Sequence, residues 1–456
     1  MFLEKIKAEG LAHLSYILGD GGAAAVVDPR RDGEIYLEIA HQNGAQITHI
    51  FETHRNEDYV IGSVELASIT GAEIYHGKAL AFKYGKPVSD GDTFELGNIL
   101  LKVLETPGHT YESISLVLSD ASAGSAPVAV FTGDTLFVGD VGRTDFFPGK
   151  EKETAGLIYD SIFKKLLPLG DHVIVYPSHG SGSVCGAGIS SREFSTLGFE
   201  RRHNRVLQLI DRNQFIQFKI SEHHPRPPYF KKMEVYNLEG PPLLNPYKAA
   251  PYNAEQFARA MESGMKVLDV RSPEAFAGAF IPGSLAIPTS MIPAFAGFFL
   301  DYDRDIGLVV EDYGQVKKAL NYLLRLGYEN VVAYLEGGLH AWETRGYTYD
   351  RIPAVYAGEI VERISEGLDF TLLDVRSEAE FDSGHLPGAV HAYVGDLLDH
   401  LDRVPKDRPV TTFCGSGLRA IIAASILKNN GYSNVEDCLG SMAACSRIGC
   451  PIVTEG

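Results

Sequence analysis

Cysteine is scarce in this chain: five residues in 456, an odd number at irregular spacing. That excludes a disulfide framework and fits a reducing, cytoplasmic setting. Positive charge is also short. Lys and Arg total 41 against 59 Asp and Glu, a formal charge of −18, which disfavours nucleic acid or an anionic membrane as partner. A small anionic substrate would need local positive groups. Long apolar runs are missing too. The longest, around Ile287 to Leu300, is broken by two prolines and falls short of the roughly 20 residues a spanning helix needs. The N-terminus, MFLEKIKAEG, scatters charges among its apolar residues and lacks the apolar stretch of an export signal, so no export is expected. Against these shortages, 45% hydrophobic and 22% charged residues are ordinary for folded protein. At roughly 150 residues per domain the length allows about three domains.

A repeat divides the second half. Leu268-Asp-Val-Arg-Ser272 recurs as Leu373-Asp-Val-Arg-Ser377, and the same offset of 105 aligns Phe276 with Phe381 and Pro282-Gly283 with Pro387-Gly388. Gly327-Tyr-Glu-Asn-Val331 answers Gly431-Tyr-Ser-Asn-Val435 at an offset of 104. In each copy a helix-like stretch (Ala254 to Ser263; Ala357 to Gly367) precedes a short apolar strand (Lys266 to Val270; Thr371 to Val375). A second strand (Leu308 to Val310; Val410 to Phe413) then leads into a long helix. Such alternation implies a parallel sheet covered on both faces. Between 223 and 251 lie seven of the 23 prolines, at 225, 227, 228, 241, 242, 246 and 251, which marks an extended connector rather than another element. Before it, short strands (Ser15 to Leu18, Ala23 to Asp28), a helix (Gly33 to Asn43) and the strand Ile47 to Glu52 describe a further mixed α/β unit.

That strand runs directly into Thr53-His54-Arg55-Asn56-Glu57-Asp58-Tyr59. Three comparable segments follow: Thr106-Pro-Gly-His109, Phe131-Thr-Gly-Asp134-Thr135 and Tyr176-Pro-Ser-His179. Polar ligand types at the C-terminal ends of buried strands occupy the place where α/β folds build their sites. One such histidine is weak evidence, because most are structural. Four junctions together are strong.

These segments resemble, over roughly residues 1 to 230, the metallo-β-lactamase superfamily, whose pattern is T-H-x-H-x-D-H, a His, a bridging Asp and a final His. The chain departs from it by Asn56 and Tyr59, where the pattern has histidines. The resemblance implies a metal held by His54, His109 and Asp134, with Asp58 and His179 beside it or as a residual second metal site. Two imidazoles and one carboxylate with open positions suit a mononuclear non-haem Fe(II) oxygenase, whereas a two-zinc hydrolase wants the missing histidines. Within the superfamily the arrangement looks like the persulfide dioxygenases, which oxidise a thiol persulfide with O2 to sulfite and the free thiol. Gly142-Arg143-Thr144-Asp145-Phe146 extends that likeness and implies Arg143 as a substrate-binding residue. Cys185, six residues after His179, is either an inert small residue or a substrate-side thiol near the metal.

In the last repeat the strand Val410 to Phe413 ends at Cys414-Gly-Ser-Gly-Leu-Arg419 and an apolar helix, Ala420 to Leu427. A tight Gly-containing turn ahead of a helix aims backbone N–H groups inward and cradles an anion or a thiolate; Arg419 adds a fixed positive charge. With Leu373-Asp-Val-Arg-Ser377 and His385-Leu-Pro-Gly-Ala389, these residues resemble the rhodanese family of sulfurtransferases, which implies Cys414 as persulfide-carrying nucleophile and Arg419 as its catalytic partner. Four residues separate Cys414 from Arg419, one fewer than in Cys-dependent phosphatases, which disfavours phosphatase activity. No cysteine lies between Cys185 and Cys414. The first repeat carries Glu311-Asp312 at the matching position, cannot perform this chemistry, and is read as a spacer or interface. Cys445 and Cys450 stand opposite Trp342 and Tyr347 of the first repeat, which with Cys438 reads as ordinary packing.

The sequence thus describes a multidomain α/β and α+β protein: an αββα metallo-β-lactamase sandwich (1–235, with its connector to about 251) and two rhodanese-like domains with parallel sheets, degenerate at 252–352 and active at 353–456. The leading function joins Fe(II)-dependent oxidation of a low-molecular-weight thiol persulfide to sulfite with sulfane-sulfur transfer through Cys414, forming or using thiosulfate. One Fe(II) per subunit is expected, with zinc as the alternative. The expected partners are the persulfide, O2 and sulfite or thiosulfate, in a cytoplasmic homo-oligomer that engages neither nucleic acid nor membrane. Two alternatives stand beside this: a zinc thioester hydrolase of the glyoxalase II kind, and a non-catalytic sulfur carrier or sensor.

Overall fold

In the first part of the chain, strand after strand is buried on both faces, and the alternation of its side chains sorts them into different cores. A computed structural model describes residues 1–122, 124, 126–186, 188–224, 226–244 and 249–454. Six strands, β1 (Phe2–Ala8), β2 (His13–Asp20), β3 (Ala23–Val27), β4 (Gln46–Phe51), β5 (Glu73–Gly77) and β6 (Lys86–Val88), form one sheet in sequence order. The next six, β7 (Thr93–Leu96), β8 (Ile99–Glu105), β9 (Ile114–Asp120), β10 (Pro127–Gly133), β11 (Ile174–Pro177) and β12 (Ser195–Thr196), form a second sheet, also in sequence order. Leu14, Tyr16 and Leu18 of β2 meet Leu101, Val103, Leu116 and Phe131 in the layer between the sheets. Ile17 of the same strand points the other way, against Tyr36, Ile39 and Leu66 of the outer helices Glu34–Gln42 and Ser63–Thr70. Val130 and Val175 likewise face Ile158, Ile162 and Phe215 on the far side of the second sheet. The result is an αββα sandwich.

The segment 223–251 differs from expectation. It contains a helix, Phe230–Glu239, and its last residues open an edge strand, β13 (Ala250–Tyr252). Proline composition hid the helix because the prolines bracket it: Pro227 and Pro228 precede its first turn, and Gly240, at φ 91°, ends it before Pro241 and Pro242. Pro251 is tolerated because β13 lies at the sheet edge. Pro225 and Pro246 lie outside the described residues.

Contacts divide the chain into two compact units, Met1–Asn245 with Leu324–Gly327, and Pro246–Leu323 with Tyr328–Gly456. In the second unit the repeats fold alike. The order β13-β17-β16-β14-β15 uses β14 (Lys266–Asp269), β15 (Leu285–Ala286), β16 (Ile306–Val309) and β17 (Val331–Leu335). It recurs as β18-β22-β21-β19-β20, from β18 (Ala354–Tyr356), β19 (Thr371–Asp374), β20 (Val390–His391), β21 (Val410–Phe413) and β22 (Val435–Leu439). All pairings in both sheets are parallel. The shared Leu-Asp-Val-Arg-Ser stretch is architectural. Arg271 Nη2 donates to Asp269 Oδ2 at 2.6 Å and to the Ala279 carbonyl at 2.8 Å, and Arg376 repeats this with Asp374 at 2.7 Å and Gly384 at 2.8 Å.

The two copies are joined through the helix Leu418–Asn429, whose residues Ala420 to Leu427 are all buried. Ser425 Oγ accepts from Ala286 N of β15 at 3.1 Å, Asn429 Nδ2 donates to the Ser284 carbonyl at 2.9 Å, and Lys428 pairs with Asp350 at 2.7 Å. A helix apolar all round is one covered on several sides. Here its own sheet and the degenerate copy do so. Among the described residues no helix is long and apolar enough to cross a membrane.

Phe131, 1% exposed between the two sheets of the sandwich, gives a test of that layer: Phe131→Ala should cost about 3–5 kcal/mol, seen as a lowered urea midpoint followed by far-UV circular dichroism.

Candidate functional site

The ends of β4, β10 and β11 and the β8–β9 loop come together at one edge of the sandwich. The first supplies His54, the loop His109, and the other two Asp134 and His179. The β10–β11 register shifts between Phe131 and Gly133, and such an irregularity re-aims the side chain that follows it, here Asp134. Gly142 is required just beyond, because a Cβ there would stand 1.9 Å from the Asp134 carbonyl oxygen and 3.2 Å from His109 Nδ1.

Asp134 Oδ2 lies 3.4 Å from His109 Nε2 and 3.7 Å from His54 Nε2. The other nitrogen of each ring is occupied. His109 Nδ1 donates to the Arg143 carbonyl at 3.0 Å. Thr53 Oγ1 gives its proton to Asp28 Oδ2 at 2.7 Å and so accepts from His54 Nδ1 at 2.9 Å. Both Nε2 lone pairs are thereby aimed at the same space, as histidine metal ligands require. Burial holds both imidazoles below the ordinary histidine pKa, His54 at about 3, so they are neutral and able to coordinate. Burial opposes the Asp134 charge, yet His179, hydrogen-bonded to it and held protonated, keeps its carboxyl well below the usual range. His109 Nε2 and Asp134 Oδ2 are buried and make no hydrogen bond among the described residues. Orphaned donors of this kind fit a cation.

The remaining motif residues are tied to one another. His179 Nδ1 donates to Asp134 Oδ1 at 2.7 Å, and its Nε2 lies 3.0 Å from Asp58 Oδ2. Burial works against a charge on His179, but Asp134 and Asp58 outweigh it and hold its pKa well above the ordinary value. Tyr59, standing where the family pattern has a histidine, contacts His13 Nε2 through its hydroxyl at 2.8 Å. Cys185 is buried, and its sulfur lies within 4.8 Å of ligand atoms of Asp58 and His179 and, in a second grouping, of His109 and Asp134. Burial pushes its thiol pKa well up. Arg143 reaches Asp145 with both arms of its fork, Nε to Oδ1 and Nη2 to Oδ2, each at 2.7 Å, and lies 4.9 Å from the Phe146 ring centre.

Several residues of this site were not visible in sequence. Asp28 accepts from Thr53 N at 2.8 Å and Ser178 Oγ at 2.8 Å, clamping the ends of β3, β4 and β11. Asn237, on the unexpected helix, donates to the carbonyls of Asn56 and Tyr59 at 2.7 Å each and accepts from Ile61 N at 3.0 Å. The helix therefore holds the His54 loop. Glu57 lies inside the motif, with Oε2 4.0 Å from His109 Nε2; its acidic side chain beside two ligand positions was the available signal.

Cys414 closes β21, and the turn after it is bound to the segment that follows β22. Cys414 N donates to Ser441 Oγ at 3.1 Å, Met442 N to the Cys414 carbonyl at 3.0 Å, and Ala443 N to the Gly415 carbonyl at 2.9 Å. Gly417 takes φ 97°, where a side chain would be strained, and its N–H points at Cys414 Sγ at 3.1 Å. One backbone donor of the turn thus faces the thiol sulfur. Arg419 is held by Glu380 through two bonds, Nη1 to Oε2 at 2.6 Å and Nη2 to Oε1 at 2.7 Å, and the Arg419 guanidinium draws the Glu380 carboxyl down to about 2. In the first repeat the matching loop fills its own donors: Glu311 N donates to Gln315 Oε1 at 2.8 Å and Gln315 N to Asp312 Oδ1 at 3.1 Å. Cys438 and Cys445 are buried in the last domain's core, with Cys450 packed against it.

Residues 8–179 match the family model of the Metallo-beta-lactamase superfamily, and residues 253–345 and 357–447 each match that of the Rhodanese-like domain. The chain is 30% identical over 173 residues to the mitochondrial persulfide dioxygenase ETHE1 of Bos taurus, covering 36% of this chain and 63% of the relative. It is 35% identical over 161 residues to the hydroxyacylglutathione hydrolase of Rhodospirillum rubrum, covering 35% of this chain and 57% of that one. It thus spans less than two thirds of either relative. Among solved structures, a metallo-beta-lactamase from Staphylococcus aureus subsp. aureus COL is 34% identical with a TM-score of 0.66, over 74% of this chain and 98% of that chain. With that coverage and the two family matches, the chain belongs to the metallo-β-lactamase superfamily and carries two rhodanese-like domains after its metallo-β-lactamase domain.

Proposed function

We propose that the chain is a persulfide-metabolising enzyme with two separate sites, one oxidative and one for sulfur transfer. The observation that carries this reading is the presence, in one chain, of a His54, His109 and Asp134 donor set in which His109 Nε2 and Asp134 Oδ2 have no partner among the described residues, and of a Cys414 turn whose Gly417 N–H faces the thiol sulfur. In the first site one Fe(II) per chain, bound by these three residues, supplies the activation of O2 for oxidising a low-molecular-weight thiol persulfide to sulfite and thiol. The similarity to a persulfide dioxygenase supports this.

The protein's own groups have defined tasks there. The Arg143 carbonyl and Thr53 hydroxyl fix the rings of His109 and His54. Asp58 and His179, paired at 3.0 Å, stand where a second metal would need their electrons, and offer hydrogen bonds to water or substrate instead. Cys185, whose thiol pKa burial raises, stays protonated with its sulfur beside the Asp58 and His179 ligand atoms. Arg143 brings a positive charge beside the site, its fork held by Asp145 and the Val184 and His224 carbonyls, and a persulfide anion bound there displaces part of that pairing.

In the second site the Cys414 thiolate attacks the outer sulfur of thiosulfate or of a persulfide. The S–S bond of the donor breaks, sulfite or thiol leaves with the bonding pair, and Cys414 carries the sulfur as a persulfide. A nucleophile such as sulfite then attacks that outer sulfur and restores the thiolate. The inward N–H groups and Arg419 stabilise the anions on both sides of the exchange.

A second reading, a zinc thioester hydrolase, draws on the similarity to a hydroxyacylglutathione hydrolase. Tyr59 and Asn56 speak against it, because they remove two imidazoles from a two-metal site. Protein purified without oxygen should contain iron equimolar with the chain and consume O2 with glutathione persulfide; stoichiometric zinc with thioester turnover and no persulfide-dependent O2 uptake would establish the hydrolase instead. His109→Ala should lose metal and O2 uptake while keeping thiosulfate-linked transfer. Cys414→Ser should show the converse, and loss of both activities in either variant would refute independent sites.

A further inference from the structure

The three-residue ligand set leaves Glu57, buried beside it, without a task. Glu57 is 1% exposed, in the loop that carries His54. Its Oε1 accepts from Arg55 Nη2 at 3.0 Å. Its Oε2 makes no hydrogen bond among the described residues and lies 4.0 Å from His109 Nε2, itself orphaned. His54, Glu57 and His109 each present a ligand atom with all three within 4.8 Å of one another. A separation of 4.0 Å is too long for a hydrogen bond. It suits two donors on one ion: ligands each about 2.1 Å from a metal stand about 3 Å apart at a right angle and about 4 Å apart on opposite sides. A buried carboxylate oxygen with no donor is costly unless a cation meets it.

The chain's departure from its family pattern bears on this. Asn56 occupies a position where the pattern has a histidine, and its neighbour Glu57 brings an oxygen into the space near the ligands that remain. Arg55 engages one oxygen of that carboxylate and leaves the other available for coordination.

We propose that Glu57 Oε2 is a fourth protein ligand of the metal held by His54, His109 and Asp134, an inference that rests on the metal reading above. The donor set is then two imidazoles and two carboxylates, one of which shares its charge with Arg55. Its consequence separates the two chemistries. On a six-coordinate iron, four protein ligands leave two positions, enough for O2 and a sulfur substrate. On a tetrahedral zinc they leave none, and a closed zinc site is a structural one.

The test is anaerobic titration of the full-length apoprotein with Fe(II) against a chromophoric chelator, for the native chain, Glu57→Gln, Glu57→Ala and Glu112→Gln. Glu112 is the control: a similarly buried carboxylate whose Oε2 also makes no hydrogen bond among the described residues but which joins none of the groupings of ligand atoms, its Oε1 being held by Arg55 N and Thr110 Oγ1 at 2.8 Å each. Both Glu57 variants should bind about tenfold more weakly or worse, with Glu112→Gln within about threefold of native. Equal weakening in all three variants would mean that buried charge, not coordination, sets the affinity, and binding by Glu57→Gln within about twofold of native would leave Glu57 outside the ligand shell; either result overturns the inference. A native chain that takes up no Fe(II) overturns the metal reading and this inference with it. A crystal structure of the metal-loaded native chain gives a reading independent of any variant's folding: an Oε2-to-metal distance of about 2.0–2.5 Å supports coordination, and one beyond about 3.5 Å refutes it.

Discussion

One carboxylate organises the metallo-β-lactamase domain. Asp134 is buried, and it faces His54 and His109 with one oxygen and His179 with the other. A carboxylate removed from water persists only where hydrogen bonds and positive charge replace its hydration, and everything around Asp134 serves that condition. The register shift in β10 turns it inward, Gly142 lets the chain pass over its carbonyl, and Asp28 draws the ends of β3, β4 and β11 to the distance at which the imidazoles reach it. The same crowding explains why the motif's third histidine is dispensable. Tyr59 is engaged with His13, and His179 lies between Asp58 and Asp134, so the tyrosine is packed into the network that surrounds Asp134.

The Cys414 site follows different rules. Its charges are few and its shape comes from backbone. The turn is fixed by main-chain bonds to the segment after β22, and Arg419 keeps its orientation because Glu380 grips both of its terminal nitrogens. In the degenerate copy the corresponding turn is also ordered, but its donors are consumed by Gln315 and Asp312. An anion approaching it meets carboxylates in place of N–H groups. The two loops show how the same sheet order supports an anion cradle or its opposite, depending on whether glycine or acidic side chains follow the strand.

What the sequence disclosed was local. His54, His109, Asp134, His179 and Cys414 each stand at the end of an apolar strand next to Gly, Pro or Thr, and that pattern is readable in a few residues. The 105-residue offset exposed the duplication for the same reason. What escaped was set by partners far away in the chain. Asn237 acts on a loop 178 to 181 residues before it, and the helix presenting it was masked by the prolines that delimit it. Asp28 looked like the end of a strand because its role depends on Ser178. Arg143 with Asp145 two residues on reads as a local ion pair as readily as a substrate-side charge, and the structure has that pair.

The helix Leu418–Asn429 changes what counts as a module here. By sequence this chain has three domains, and a family boundary falls between residues 345 and 357. By burial the last two are one body, since the helix that follows the Cys414 turn has the middle copy for part of its wall. A copy that has lost its thiol is therefore still bound to the surviving one by shared solvent-free surface. Excision at that family boundary would open an apolar helix to water, so cutting the chain there costs the last copy part of its own core.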